Sequence, residues 1–169
     1  RFETNDTEDK HGGYVVTGKL NPSSQVRSLG INNENQIYTA KTLGRKLKMN
    51  RALFADRDKS MEIITKLQKF KATVTQELEK EDDLSGNKLY HFEQKVQSQF
   101  KMEFALSTPI YQGLDKKTFK VQVRFDVTDG SVTYWLESPE LKELQDKDRE
   151  SIIANQVDRF KNQMAIVYQ

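Results

Sequence analysis

The most regular alternation of apolar and polar residues runs from Phe119 to Val127. Every second residue is apolar, which predicts a strand that buries one face. Asp129-Gly130 follows, and this pair favours a two-residue type I′ turn because both of its residues must adopt positive φ. Such a turn fixes the register of the hairpin. The expected cross-strand pairs are Val127 with Val132, Phe125 with Tyr134, Val123 with Leu136 and, on the opposite face, Arg124 with Trp135.

A long amphipathic helix is predicted directly after this hairpin. Ser138 can cap the first turn, Pro139 suits the first helical position, and Glu140 favours the positive end of the helix dipole. The helix is expected to extend to about residue 161. Its predicted apolar stripe consists of Leu141, Leu144, Ile152, Ile153, Val157 and Phe160.

Two short helices are predicted between residues 39 and 69. The first begins near Thr39 and buries Leu43 and Leu47, which lie four residues apart on one face. The second covers residues 57–69 after an N-cap at Asp56. Its predicted buried stripe consists of Met61, Ile64 and Leu67.

Residues 70–80 fit two patterns. As a helix, they would continue the preceding stripe through Val74; as a strand, their apolar residues alternate with polar ones. We favour the strand because Thr73-Val74-Thr75 is a β-branched run that loses rotamer freedom in a helix. A loop at residues 81–87 and a returning strand at 88–98 would then complete a second hairpin.

The predicted fold class is α+β, with a mainly antiparallel sheet of about five to six strands, including two hairpins. Two short helices and one long C-terminal helix would pack on this sheet. Further strands are expected at residues 14–17 and 101–107, the latter ended or placed at an edge by Pro109. Residues 1–13 are expected to form a flexible acidic tail, and residues 14–169 a single domain.

Composition excludes several kinds of site. The chain has no cysteine, which rules out disulfides, thiolate metal sites and cysteine nucleophiles. No apolar run approaches the roughly 20 residues of a membrane-spanning helix, so no membrane association is expected. His11 and His91 are isolated, and no Ser/His/Asp or phosphate-loop spacing is present. The sequence therefore predicts no catalytic residue, no metal ligand and no cofactor.

Positive charge is concentrated in one segment although the net charge of the whole chain is only +2. Seven cations stand against Asp56 and Asp58 there, which leaves +5 for the segment and about −3 for the remainder. Such a concentration favours contact with phosphates, whereas the alternative is that these side chains only solvate two helices. The cations are Lys41, Arg45, Lys46, Lys48, Arg51, Arg57 and Lys59.

Two further candidate sites are weighed against simpler interpretations. Arg124, Trp135 and Tyr111 could form a protein interface, but we expect the C-terminal helix to cover the face that carries Trp135. A metal-dependent nuclease site could use Glu77, Glu79 and Lys80 with Asp56 upstream. Neighbouring strand residues point to opposite faces, so the acidic run from Glu79 to Asp83 is more simply a solvated hairpin tip.

Several short stretches, all of them turns, caps or strand ends, resemble a bacteriophage and prophage domain-of-unknown-function family that includes YfdQ. The stretches are Leu47-Lys48-Met49-Asn50-Arg51 with Phe54, Phe70-Lys71-Ala72, Gly86-Asn87, Pro109-Ile110-Tyr111-Gln112-Gly113 and Trp135-Leu136-Glu137-Ser138-Pro139-Glu140-Leu141. The resemblance covers residues 38–161. It implies a phage or prophage gene whose product acts in the cytoplasm of the bacterial host, and it supplies no activity or catalytic residue.

The leading hypothesis is therefore a non-enzymatic phage or prophage accessory protein associated with recombination or replication. Its partner would be DNA or a DNA-processing protein, contacted through the basic helical face. The alternative is a protein-interaction module, such as an inhibitor of a host system or an assembly factor, that uses sheet edges and exposed aromatic residues. A metal-dependent nuclease is the least favoured of the three.

Overall fold

The computed structural model of the chain describes residues 2–5, 15–18, 20–80, 101–128 and 131–160. These residues form an α+β fold, as predicted. The strands are β1 (Phe2–Asn5), β2 (Val15–Gly18), β3 (Glu103–Pro109), β4 (Lys116–Thr128) and β5 (Ser131–Glu137). The helices are α1 (Ser24–Leu29), α2 (Ala40–Met49), α3 (Arg57–Lys80) and α4 (Pro139–Phe160), with a 3-10 turn at Arg51–Leu53.

The main sheet is antiparallel in the order β3-β4-β5, and its hairpin register is the predicted one. The observed pairs include Val127 with Val132, Phe125 with Tyr134, Val123 with Leu136 and Arg124 with Trp135. Pro109 ends an edge strand, where a missing backbone donor costs least. The conformation of Asp129-Gly130 lies outside the described residues.

The prediction of five to six strands is wrong. The described chain has a three-stranded sheet, and β1 pairs with β2 in a separate two-stranded sheet. Phe2–Asn5, which is β1, belongs to the segment expected to be a tail. The predicted loop at residues 81–87 and strand at 88–98 lie outside the described residues.

The strand predicted at residues 70–80 is also wrong, because α3 continues without a break to Lys80. The Phe70 ring packs edge-on against that of Phe125, with their centroids 4.9 Å apart, and Val74 is buried beside Val127. Thr73 is accommodated because its hydroxyl donates to the carbonyl of Lys69 at 3.1 Å. Burial against the sheet therefore outweighs the weak intrinsic preference of the β-branched run.

Helix α3 is rotated relative to the predicted stripe. Asp56 accepts a hydrogen bond from the backbone N–H of Asp58 at 3.0 Å, as expected of an N-cap residue. Leu67 is buried as predicted, but Met61 is 43 % exposed and Ile63 is buried in its place. The stripe through Ile63, Leu67 and Val74 faces the core, which sequence periodicity alone did not resolve.

The core lies between one face of the main sheet and helices α1, α2 and α3. Gly30 ends α1 at a φ of 63°, and a Cβ there would approach the Gln36 side chain to 2.4 Å. The fully buried members of the core include Leu29, Leu43, Leu47, Leu67, Leu106, Val121 and Tyr134. Because the core sits on one face, the even-numbered side chains of β4 lie on the other face.

Both edges of the main sheet are met by backbone groups from other segments. On the β5 side, Tyr38 and Tyr134 exchange two backbone hydrogen bonds, each of 2.8 Å. On the β3 side, the N–H of Ala55 donates to the carbonyl of Ala105 at 3.0 Å, and Phe54 forms a bridge with Leu106. These contacts leave less of either edge available for pairing with another chain.

Helix α4 begins at the predicted cap. The Ser138 hydroxyl accepts from the N–H of Leu141 at 3.0 Å and donates to the carbonyl of Lys120. The first half of the helix packs on the core through Leu141, and Asp148 forms an ion pair with Lys117. The predicted stripe is wrong at Ile153, which is 48 % exposed. Leu144, Ile152 and Val157 are half-buried, and the Phe160 side chain lies outside the described part of the chain.

Candidate nucleic-acid interface

Helix α2 is fixed in position by its cap and by its buried face. Thr39 and Thr42 form a capping box, in which each side chain accepts a hydrogen bond from the backbone N–H of the other. The distances are 2.8 Å and 3.2 Å. Leu43 and Leu47 have no exposed surface. Together these contacts determine which side chains of the helix face solvent.

Three cations share the solvent side of α2 and form what we call the basic ridge: Lys41, Arg45 and Lys48. They occur at positions i, i+4 and i+7, which lie on one side of an α-helix, and all three are exposed. None of them forms an ion pair with another described residue. Residues 35–55 contain five cations and no Asp or Glu, so no carboxylate from this segment offsets the ridge.

The other cations of the predicted basic segment do not join the ridge, and each has different neighbours. Lys46 is half-buried and lies about 140° around the helix from Lys41, at ~100° per residue. Arg51 is engaged by the start of α3, because its Nη2 lies 3.3 Å from Asp58 Oδ1 and its Nε donates to the carbonyl of Arg57 at 3.2 Å. The pKa of the Glu62 carboxyl is lowered mainly by Lys66 and, to a smaller extent, by the nearby charge of Lys59.

Arg57 is exposed, and it shares a cleft with Lys116, a cation that the sequence pattern did not indicate. Arg57 and Lys116 line one open cleft with a volume of about 520 Å³. Lys116 begins β4 and is far from Arg57 in sequence, so no local pattern could have joined them. The other lining residues are Ala52, Phe54, Ala55, Ser107 and Thr118. We call this site the edge cleft because it lies beside edge strand β3.

The proposed aromatic interface is only partly assembled. Tyr111 is buried, with 6 % of its surface exposed, so its assignment to an interface is corrected: the ring belongs to the core. Trp135 is half-buried on the face opposite the core, and Arg124 beside it is exposed. Leu141 of α4 packs in the core, on the face opposite Trp135. That α4 also covers Trp135 stays a prediction.

A carboxylate links Trp135 and Arg124. The indole N–H of Trp135 donates to Glu137 Oε1 at 2.7 Å, and Arg124 Nε donates to Glu137 Oε2 at 2.9 Å. Both hydrogen bonds hold the pKa of Glu137 below its ordinary value, and the bond from the Trp135 indole has the larger effect. Arg124 is therefore matched by an anion, unlike the cations of the basic ridge.

The candidate nuclease residues do not converge. Asp56 precedes α3 and Glu77 lies near the far end of the same helix, which places their backbones about 30 Å apart at ~1.5 Å per residue. Glu79 and Lys80 lie near that far end as well. No group of three or more potential metal ligands occurs in the described segments. His11 and His91 lie outside those segments.

No protein-family model, curated protein or solved structure matches this chain. The resemblance to the phage and prophage family therefore stays a prediction. Within the described residues, no helix has both the length and the apolar character required to cross a membrane.

Proposed function

We propose that the protein binds nucleic acid through the basic ridge, as a non-enzymatic accessory protein of a phage or prophage associated with DNA metabolism. The observation that carries the proposal is the ridge itself: three exposed cations, aligned on a capped helix and without ion pairs among the described residues. Lys and Arg side chains arranged in this way replace the counterions of a phosphate backbone, and the released counterions favour binding.

The composition of α2 supports phosphate contacts over the reading of bases. Adenine is read mainly by Asn or Gln and cytosine by Asp or Glu, and α2 contains none of these four residue types. Its Arg and Lys side chains can read guanine, but they are also the side chains that bind phosphates without regard to sequence. Asn50 follows the helix, but its side-chain amide donates to the carbonyl of Lys46 at 2.9 Å. The proposal is therefore binding with little dependence on sequence.

The alternative of a protein-interaction module has less support. Strand addition needs a free sheet edge. Tyr38 occupies part of the β5 edge, and Phe54 and Ala55 occupy part of the β3 edge. Trp135 offers a half-buried ring on a face where Glu137 already binds it. These contacts favour the charged surface as the site of interaction.

Salt dependence tests the proposal. Fluorescence anisotropy with labelled single- and double-stranded oligonucleotides would compare the wild type with a K41A/R45A/K48A variant between about 50 and 200 mM salt. We expect the variant to bind more weakly. On duplex DNA the plot of log K against log salt should also become less steep, by about 3, since each phosphate contact contributes ~0.9 to the steepness.

A charge-matched variant provides the control. K69A/K71A/K142A also removes three exposed cations, from α3 and α4, and should retain wild-type affinity. Equal losses in the two variants would mean that net charge alone explains binding and would overturn the proposal. Absence of binding at low salt, or binding to anionic phospholipid vesicles without binding to oligonucleotides, would also overturn it.

A further inference from the structure

The edge cleft combines two cations and two hydroxyl groups without a carboxylate. Arg57 and Lys116 supply the charge, and Ser107 and Thr118 supply the hydroxyls. None of the seven lining residues is acidic. Neither cation forms an ion pair with another described residue. Every polar side chain that lines the cleft can therefore donate a hydrogen bond.

The register of the main sheet places three of these side chains together. Ser107 of β3 is the cross-strand partner of Thr118 of β4, so both point to the same face. Lys116 precedes Thr118 by two residues and shares that face, because side chains alternate along a strand. This arrangement depends on backbone pairing and requires no ligand to form.

The segment that carries Arg57 is attached to the same edge. Ala55 donates its N–H to the carbonyl of Ala105 at 3.0 Å, and the ring of Phe54 stacks on Phe104 with a centroid distance of 4.8 Å. Phe54 is buried, which anchors this side of the cleft in the core. Arg57 follows three residues later and reaches the cleft from the start of α3.

The two carboxylates that flank Arg57 in the sequence are engaged away from the cleft. Asp56 accepts from the backbone N–H of Asp58, and Asp58 pairs with Arg51. Neither aspartate lines the cleft. An anion that enters the cleft would therefore contact a guanidinium, an ammonium and two hydroxyls rather than a competing acid.

We infer that the edge cleft is an oxyanion site that takes a phosphate group. The guanidinium of Arg57 can bind two phosphate oxygens at once, and the ammonium of Lys116 supplies a second charge. Ser107 and Thr118 can donate to the remaining oxygens. The inference rests on the proposed function and deepens it, because it adds a phosphate contact from β4 to the contacts expected of the basic ridge.

A titration with inorganic phosphate tests the cleft directly. Two-dimensional ¹H–¹⁵N spectra would follow the amides of Ser107, Lys116 and Thr118 at constant ionic strength, with chloride as the reference anion. We expect saturable shifts at these amides in the wild type. In R57A/K116A the affinity should fall by about tenfold or more, since the anion loses both of its charged hydrogen-bond donors.

The matched control is R27A/K120A, which removes one exposed arginine and one exposed lysine that do not line the cleft. This variant should retain the phosphate-dependent shifts. Uniform small shifts across the wild-type spectrum, or saturable shifts that persist in R57A/K116A, would overturn the phosphate site. A spectrum of R57A/K116A with wild-type dispersion in chloride shows that the variant is folded.

Oligonucleotides identify the source of the phosphate. Displacement of inorganic phosphate by an oligonucleotide with a 5′-phosphate, but not by its 5′-hydroxyl counterpart, supports a strand end as the ligand. Displacement by both supports backbone phosphates, and displacement by neither supports free phosphate. The basic ridge is judged separately by K41A/R45A/K48A, which leaves the cleft intact, so the two proposals can fail independently.

Discussion

Asn32 holds both backbone groups of Ser138, although 106 residues separate them in the sequence. Its Nδ2 donates to the carbonyl of Ser138 at 2.8 Å, and its Oδ1 accepts from the N–H of Ser138 at 2.7 Å. The N–H of Asn32 also donates to the carbonyl of Leu136 at 2.9 Å. The residue has a φ of 59°, a conformation that Asn tolerates better than most residues. Asn32 therefore joins the end of β5 to the start of α4.

Replacing Asn32 should destabilise the fold. We expect Asn32→Ala to lower the free energy of unfolding by about 1–2 kcal/mol, because two partly buried backbone groups lose their partner and Ala is strained at positive φ. Urea denaturation followed by circular dichroism measures this change. Asn35→Ala, at an exposed position nearby, is the control. An equal midpoint in both variants would contradict a structural role for the Asn32 amide.

The C-terminal half of α3 should contribute to stability through Phe70. We expect Phe70→Ala to cost about 2–4 kcal/mol, somewhat less than a fully buried phenylalanine, because its ring packs on Phe125 but remains partly exposed. Lys71→Ala, on the solvent side of the same helix, should change stability by less than about 0.5 kcal/mol. Thermal or urea denaturation distinguishes the two. A Phe70→Ala variant as stable as the Lys71→Ala variant would refute the docking of this segment.

Alkaline pH should destabilise the protein partly through Tyr134. Burial raises the pKa of Tyr134 to about 12, above the ~10 of an exposed tyrosine. The folded state therefore retains the phenol proton more strongly than the unfolded state. Its contribution to stability is fully present below about pH 10 and is lost as the pH rises towards about 12.

Stability measured against pH between about 9 and 12 tests this prediction. Tyr134→Phe should show a shallower decline than the wild type, because the titrating group is gone. Tyr38→Phe is an informative comparison: burial also raises the pKa of Tyr38, and its hydroxyl donates to the carbonyl of Leu29 at 2.8 Å. That variant should therefore lose stability at neutral pH as well. An unchanged alkaline slope in Tyr134→Phe would contradict the prediction.

Acid should weaken the contacts of Glu137. Hydrogen bonds from Trp135 and then Arg124 lower the pKa of this carboxyl in the folded state. The resulting stability is present above the ordinary glutamate pKa of about 4.3 and is lost as the pH falls through the lower folded value. Glu137→Gln should therefore reduce the loss of stability over that acidic range.

Trp135, the one tryptophan of the chain, reports this titration. Protonation of Glu137 should change the indole fluorescence with a midpoint below about pH 4.3 in the wild type. The change should be absent in Glu137→Gln and retained in Glu103→Gln, which alters an exposed carboxyl on the same sheet. A midpoint above the ordinary value would contradict the assigned hydrogen bonds.

Local sequence patterns predicted the elements whose geometry is set within a few residues. The register of β4 and β5 follows from strict alternation, because a shift by one residue would turn Val123, Phe125 and Val127 away from the core. The caps at Asp56 and Ser138 are also local, since each bonds to an N–H two or three residues ahead. The basic ridge follows equally from helical spacing once Leu43 and Leu47 define the buried face.

Contacts between distant segments decided the features that local patterns did not predict. Val74 belongs to a helix because Phe70 and Val74 bury against the sheet. That burial outweighs the intrinsic preference of Val74 for a strand, which is roughly a few tenths of a kcal/mol. The same limitation applies to Tyr111, whose burial no neighbouring residue could indicate.

The sequence by itself determined the hairpin register, the caps and the concentration of charge on α2, because each depends on residues close together in the chain. Only the tertiary structure decided that Lys116 and Arg57 line one cleft, that Asn32 holds Ser138, and that Asp56 and Glu77 lie far apart. These relationships arise when distant segments bury apolar surface together, and that burial has no signature in the spacing of nearby residues.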